Sequence, residues 1–394
     1  MMDTKEYLMN GSVLGNKQIV ANSSTIKISD YEQAVRDTDI INQDELNPIL
    51  QGLFGEVGGI MSTAKKVTRD KEAFPGSTKA AEEEFGDTLW YLAALCRRLK
   101  YPLEDIFNDA TSSAMPQRVG VASDFSEGAF GQIFILPASQ SIDKTMFELG
   151  HAAAALLTDS PSRDQIVNFA KSYLVSLNAA NMTFSNVVRS NIKKTRGAYV
   201  EPDTSELPDF DVEYQEEERL PTKFRIRVSQ RNGGKCYLQW QGVFIGDPLT
   251  DNIADADGYR FHDIFHFSYA AILHWSPVMR ALIKHKRKSN PKCDESQDGG
   301  RAIVVEEGLT AWIFSRAKEL NFFEGQERVS LGMLKTIEEF VAGYEVAQCP
   351  LKLWEKAILQ GYEVFRAIKS SKGGWIIGDR ENRTLKYEPL ECEK

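Results

Sequence analysis

From about Ser29 to Ala198 apolar residues recur at three- and four-residue spacing, in segments such as "STKAAEEEFGDTLWYLAALCRRL" and "RDQIVNFAKSYLVSLNAA". That period predicts amphipathic helices, each opening after a Ser- or Pro-containing start signal. Residues 29–198 therefore read as an all-α helical bundle. Within it "GAFGQIFILPASQ" is short, apolar and bounded by Gly and Pro, which suits a strand or a buried connector. Residues 199–221, "YVEPDTSELPDFDVEYQEEERLP", lack apolar periodicity and are rich in acids and prolines, so they read as an acidic linker. Beyond it "FRIRVSQRNGGKCYLQWQGVFIG" carries β-rich runs around an Asn232-Gly233 turn signal and predicts a hairpin. Helical spacing returns from residue 257 to about 370, and "KGGWIIGDRENRTLKYEP" ends the chain's pattern with a short strand pair. The fold class expected is mainly α, with an α+β part over 222–394 that holds a small hairpin or sheet.

Sliding the chain by 81 places sets "EEEFGDTLWYLAALCRRLKYPLEDIF" on "RDQIVNFAKSYLVSLNAANMTFSNVV". Phe85/Ile166, Leu92/Tyr173, Leu103/Phe184 and Ile106/Val187 then fall in step, while Glu84 and Asp87 land on Gln165 and Asn168. Upstream, "LFGEVGGIM" set on "ELGHAAAAL" places His151 opposite Glu56. Two readings stay open. Either 29–110 and 145–198 are tandem copies of which the second has lost its charges, or two amphipathic helix pairs coincide.

The acids of the first stretch change the picture. Glu84 and Asp87, three apart on one helix, present carboxylates to the same side, and Glu56 lies on the preceding helix. A run such as "EEE" is most often a solvated helix face. Here "FGDTLWYLA" follows at once, and Asp87 sits among apolar positions where a charge without a partner would be costly. Facing helices that carry such acids build a hard-oxygen site suited to Mg²⁺, or Mn²⁺, held against phosphates. Lys65 and Lys66, further along the first helix, add positive charge for a phosphate chain.

"GLFGEVGGIMSTAKK" and "EEFGDTLWYLAAL", preceded by "YEQAVRDTD" with Tyr31, Arg36 and Thr38, resemble the MazG-like group of all-α nucleoside triphosphate pyrophosphohydrolases and its dimeric dUTPase relatives. The resemblance covers residues 29 to 110 and implies a Mg²⁺-dependent enzyme that splits a nucleoside triphosphate into the monophosphate and pyrophosphate. Glu56 matches the first glutamate of the family's ExxE pair, and Glu84 and Asp87 match its ExxD. Gly59 stands where the second glutamate belongs, with Glu83 as the acid that could offset it or accept a proton. The family's Asn-x-x-Lys helix has only Ala110 and Ser113 at its places after the first copy, whereas Asn191 and Lys194, with Arg196 nearby, supply it in the second. The implied division of labour keeps acids in one copy and Asn/Lys contacts in the other, so the expected assembly is a homo-oligomer or an internal pseudo-dimer. The bland alternative for "NIKKTR" is a basic helix end that complements the helix dipole. The missing glutamate leaves a second function open: a nucleotide-binding sensor with weakened catalysis, coupled to a C-terminal effector or metal-dependent hydrolase.

A formal charge of -9 argues against a protein that coats nucleic acid. The five cysteines form no CxxC pair, which suggests neither a disulfide framework nor a cysteine zinc site. No uncharged stretch approaches membrane-spanning length, so a cytoplasmic protein is expected.

In "GYRFHDIFHFSYAAIL", His262 and His266 are one helical turn apart, with Asp263 beside them, and "AIVVEEGLTAWIFSRA" carries Glu306 and Glu307 inside an apolar helix. Two histidines at i, i+4 are the usual helical pair for a transition metal, and hydrogen-bonded core histidines are the alternative. The run "KHKRKS", Lys284 to Ser289, reads as a solvated helix end or a phosphate contact.

Overall fold

The computed structural model of the protein describes residues 27–112, 140–231 and 233–390. The connector read at "GAFGQIFILPASQ", all but Gln140, lies outside the described residues, as do Ser113, Asn232 and Cys392. The chain divides into two units between Arg196 and Gly197.

Helices α1 (Ile28–Thr38), α2 (Asn47–Asp70), α3 (Ser77–Arg98), α4 (Leu103–Ser112), α5 (Ile142–Ala155), α6 (Arg163–Ala179) and α7 (Phe184–Tyr199), the last as far as Arg196, form the first unit. Leu53, Val57 and Ile60 of α2, Phe85, Leu89 and Leu92 of α3, and Ile166, Phe169 and Tyr173 of α6 meet in its core. Pro75-Gly76 turns the chain into α3, and Gly76 takes the left-handed φ of +81° that other residues avoid. The start of α6 is a reciprocal cap, in which Ser162 Oγ accepts from Gln165 N at 3.3 Å and Gln165 Oε1 accepts from Ser162 N at 2.8 Å. Helices α4 and α7 begin at 103 and 184, the 81-residue offset seen in the sequence. Of the matched apolar pairs, Phe85/Ile166, Leu92/Tyr173 and Ile106/Val187 are all buried, as is Leu103, while Phe184 is half-buried. Gln165 is a cap residue, and Asn168 and His151 are exposed, so the positions matching the acids of the first stretch gather nothing in the second.

In the second unit β1 (Lys223–Gln230), β2 (Cys236–Trp240), β3 (Val243–Leu249), β4 (Gly373–Asp379) and β5 (Thr384–Glu388) form one antiparallel sheet in the order β3-β2-β1-β4-β5. The hairpin and the closing strand pair are thus joined through β1 and β4, with Ile226 opposite Ile376. Phe224, Ile226 and Val228 alternate inward along β1. Against the sheet lie α8 (Asp263–Leu273) and α13 (Leu351–Ser371), and α9 (Pro277–Ile283), α10 (Pro291–Ser296), α11 (Gly300–Glu319) and α12 (Leu331–Phe340) complete the unit. Every residue of α8 is buried, the mark of a helix enclosed on all sides. The chain is therefore mainly helical, with its small sheet in the C-terminal half. Among the described residues no helix is long and apolar enough to cross a membrane.

Residues 199–221 do more than tether. Asp211 is 1% exposed, accepts from Leu220 N at 2.8 Å and pairs with Arg280. Arg280 also donates to Glu218 O, Arg287 to Phe210 O, Arg380 to Leu220 O and Arg383 to Pro208 O. Acids and prolines that look solvated in the sequence are held against the second unit by arginines far along the chain. Arg287, in the middle of the run read as a solvated helix end, is itself fully buried.

Candidate functional site

Two clusters of ionisable groups stand out, one in each unit. In the first, α2 brings Glu56, α3 brings Glu83, Glu84 and Asp87, and α7 brings Asn191 and Lys194. The close approach of α3 and α7 depends on Gly86, since a β-carbon there would stand 3.1 Å from Asn191 Cβ. Lys194 Nζ pairs with Asp87 and lies 2.8 Å from Glu83 Oε1. Asn191, only 3% exposed, donates to Asp87 Oδ1 at 3.3 Å and accepts from the Tyr31 hydroxyl at 3.0 Å. Tyr31 thus fixes Asn191, and Asn191 fixes Asp87.

Glu84 turns toward α2. Its carboxylate lies over Gly59, where any β-carbon would collide with it, and it shares a hydrogen bond with Glu56. The glycine that departs from the ExxE pattern therefore makes room for a neighbour's carboxylate. Burial, then the charges of Asp87 and Glu84, push Glu56 up to about 7. Burial works against the Lys194 charge, but Asp87 and Glu83 hold that ammonium above the usual lysine range. Negative charge is in excess here even with Lys194 in place.

Because the folded protein binds a proton at Glu56 that the unfolded chain releases near 4.5, this group stabilises the fold in acid and loses that contribution as pH rises toward 7. In Mg²⁺-free buffer the melting temperature of the wild type should therefore fall relative to Glu56→Gln between pH 5 and pH 8, and parallel curves would show that Glu56 titrates normally.

Other residues proposed from the sequence are not gathered with these acids. Lys65 and Lys66 are exposed beside Asp70, whose carboxyl they help to lower after its hydrogen bond with Arg69 and against desolvation. They lie roughly 14 Å from Glu56 along the axis of α2. Arg36 on α1 and Arg196 on α7 are exposed. Glu83, proposed as a proton acceptor, is instead paired with Lys194.

The second cluster joins α8 to α11. His262 Nδ1 donates to Tyr259 O at 2.9 Å, and the Tyr259 ring stacks on the imidazole at 4.3 Å. His266 Nδ1 is 2.8 Å from Glu306 Oε1. Glu306, 0% exposed, also accepts from Ser276 Oγ at 2.7 Å and Val278 N at 2.8 Å, so its two oxygens are committed to orienting His266 and the start of α9. Glu307 faces the other side of both rings: its Oε2 stands 3.5 Å from His262 Nε2 and 3.5 Å from His266 Nε2. Asp263, buried, lies beside His262. Among the described residues, one group of three or more His, Cys, Asp or Glu has ligand atoms all within 4.8 Å of one another, and it is His262, Asp263 and His266. The acids of the first unit are not drawn together as tightly, because Lys194 takes Asp87 and Glu83 while Glu84 leans on Glu56.

Burial opposes a charge on His266, but Glu306 and Glu307 push it up to about 10. Burial raises Asp263 above the usual carboxylate range, against the pull of the two histidines. Sequence reasoning gave Glu306 and Glu307 one role, whereas the structure separates them. It missed Tyr259 and Ser276, whose only local signals are the ring three residues before His262 and the Ser-Pro pair that opens α9.

A family model described as the MazG C-terminal domain matches residues 205–391, within the second unit. No curated protein and no solved structure matches the chain.

Proposed function

We propose that the first unit is a Mg²⁺-dependent nucleoside triphosphate pyrophosphohydrolase. The observation that carries this reading is the meeting of Glu56, Glu84 and Asp87, from two neighbouring helices, with the Asn191 and Lys194 of a third. The MazG C-terminal domain match over residues 205–391 supports a MazG-like setting for it.

The residues fit a divalent cation, since burial first, and then the charges of Asp87 and Glu84, disfavour the ionised form of Glu56, a cost that a metal would relieve. Glu56, Glu84 and Asp87 would hold Mg²⁺ there. When bound it neutralises phosphate charge and lowers the pKa of a water. Lys194 and Asn191, at the edge of the acids, would bind and orient the phosphate chain. Glu83 positions the Lys194 ammonium. The water oxygen would bond to the α-phosphorus as its proton passes to solvent, the α–β bridging bond would break with its electron pair on the departing pyrophosphate, and the nucleoside monophosphate would be the other product.

The direct test incubates the full chain with Mg²⁺ and a panel of normal and modified nucleoside triphosphates, and measures monophosphate and pyrophosphate. Both products should appear in equal amounts and vanish with chelator. Nucleotide binding without either product would instead support the sensor reading, in which Glu84 over Gly59 marks a site altered for binding alone. Lys194→Ala should raise KM about tenfold or more, the size expected for a charge-assisted contact, with a smaller effect on kcat. An unchanged KM would remove Lys194 from the binding site.

A further inference from the structure

The His/Asp/Glu cluster of the second unit takes no part in the reaction proposed above and needs its own account. Each histidine is held through Nδ1 by an oxygen, Tyr259 O for His262 and Glu306 Oε1 for His266. Such contacts leave Nε2 as the nitrogen that faces the cluster, which is how metal-bound histidines are oriented by the groups behind them. His266 Nε2 is buried and makes no hydrogen bond of ordinary geometry, although the ring is 0% exposed. Its nearest partner is Glu307 Oε2 at 3.5 Å, a contact long for a hydrogen bond, so the nitrogen faces that carboxylate without a short bond to it.

Charge points the same way. Asp263, Glu306 and Glu307 place three carboxylates around two imidazoles, and among the described residues none of the three pairs with Lys or Arg. Nearby cations are engaged elsewhere: Arg260 with Asp251 and Lys318 with Asp257. Glu306 is tied by Ser276 and Val278 as well as His266, which leaves as oxygen donors Glu307, 3.5 Å from both Nε2 atoms, and Asp263, 3.9 Å from His262 Nε2 and grouped with both histidines. The side chain of Glu307 is 40% exposed, so the cluster has an open edge.

We propose that His262 Nε2, His266 Nε2, Asp263 and Glu307 bind one divalent first-row transition ion, Zn²⁺ being the ion whose preference for mixed imidazole and carboxylate donors this set meets best. Glu306 is a positioning residue: it holds the His266 ring and does not touch the ion. Tyr259 does the same for His262 through its carbonyl and its stacked ring.

The test uses the full chain, stripped by chelator, dialysed and titrated with Zn²⁺, with Co²⁺ as a spectroscopic probe. One tight equivalent of Zn²⁺ per chain is expected, together with visible Co²⁺ absorption bands and a higher melting temperature in the presence of the ion. Asp87→Asn, which alters the acids of the first unit, should keep that equivalent. Since removing the fully buried His266 can unfold the unit, Glu307→Gln carries the decision: it should fold and weaken Zn²⁺ binding by at least about tenfold, and Glu306→Gln should cost about 10- to 100-fold through the His266 ring. Tight Zn²⁺ binding that Glu307→Gln leaves unchanged, or a stripped chain that takes up Mg²⁺ but neither Zn²⁺ nor Co²⁺, would overturn the assignment.

Discussion

Asp87→Asn is expected to lower the rate of pyrophosphate release by about 10²-fold or more while leaving the fold in place. The substitution preserves shape, so the cost comes from charge. Asp87 is joined to both α7 residues: Oδ1 accepts from Asn191 at 3.3 Å and Oδ2 holds the Lys194 ammonium. An amide at this place would remove a proposed cation ligand and leave Lys194 with Glu83, 2.8 Å away. Two effects should therefore appear together, a fall in kcat and a shift of the Mg²⁺ dependence to higher concentration. The Asp87 side chain is 17% exposed, but the amide keeps its shape and Glu83 still pairs with Lys194, so the melting temperature should move little. Turnover within about threefold of wild type at saturating Mg²⁺ would fall below the range expected for a group at the reacting centre, and would remove Asp87 from the chemistry.

That prediction separates Asp87 from Glu56, though both are acids of one cluster. Glu56 lies where burial and two neighbouring carboxylates keep it partly protonated near neutrality, whereas Asp87 has Lys194 against it. A divalent cation would enter against the Lys194 ammonium at one carboxylate and against a proton at another. On the proposed function, Mg²⁺ affinity would then be coupled to pH mainly through Glu56, and the position of Lys194 mainly through Asp87.

Local signals in the sequence carried much of the fold, because they are local. The 3.6-residue spacing of "EEEFGDTLWYLAALCRRL" gives α3, and Ser162 with Gln165 gives the start of α6. Gly233 sits between β1 and β2 as the turn signal implied. What no window of sequence contains is the pairing of β1 with β4, some 150 residues apart, which turns two separate strand pairs into one sheet. The acidic stretch 199–221 reads as a linker for the same reason, since the contacts that hold it come from Arg280 and Arg380, which are distant in sequence. In the first cluster the spacing of Glu84 and Asp87 marks them as neighbours, but only packing reveals that Gly59 accommodates Glu84 and that Gly86 admits Asn191. In the second cluster spacing pairs His262 with His266, yet Glu306 and Glu307, adjacent in sequence, diverge because successive helical residues point about 100° apart.

The largest loss of stability is expected from Asp298→Ala, about 3–5 kcal/mol for the second unit. Asp298 is 0% exposed and accepts from Arg287 N at 2.8 Å, Arg287 Nε at 3.0 Å and Arg287 Nη2 at 2.6 Å, with Arg280 Nε 3.5 Å away. Both arginines are fully buried, so alanine leaves two guanidinium groups in the interior with one acid fewer between them, Glu345 and Asp211 being the acidic partners that remain. The penalty is that of an uncompensated charge, larger than the net contribution of the pair itself. Five of the six tryptophans, Trp240, Trp275, Trp312, Trp354 and Trp375, lie in this unit, so denaturant unfolding of the full chain followed by tryptophan fluorescence reports mainly on it. The same arginines donate to the carbonyls of Phe210 and Glu218, and loosening them should also expose residues 199–221 to limited proteolysis well below the unfolding midpoint. Asp70→Ala, which breaks an exposed pair with Arg69, should change neither readout. If Asp298→Ala unfolded at the wild-type midpoint with its acidic segment still protected, the arginine network would be a passive feature of the second unit, and hydrophobic contacts such as those of Leu220 would be what holds the segment in place.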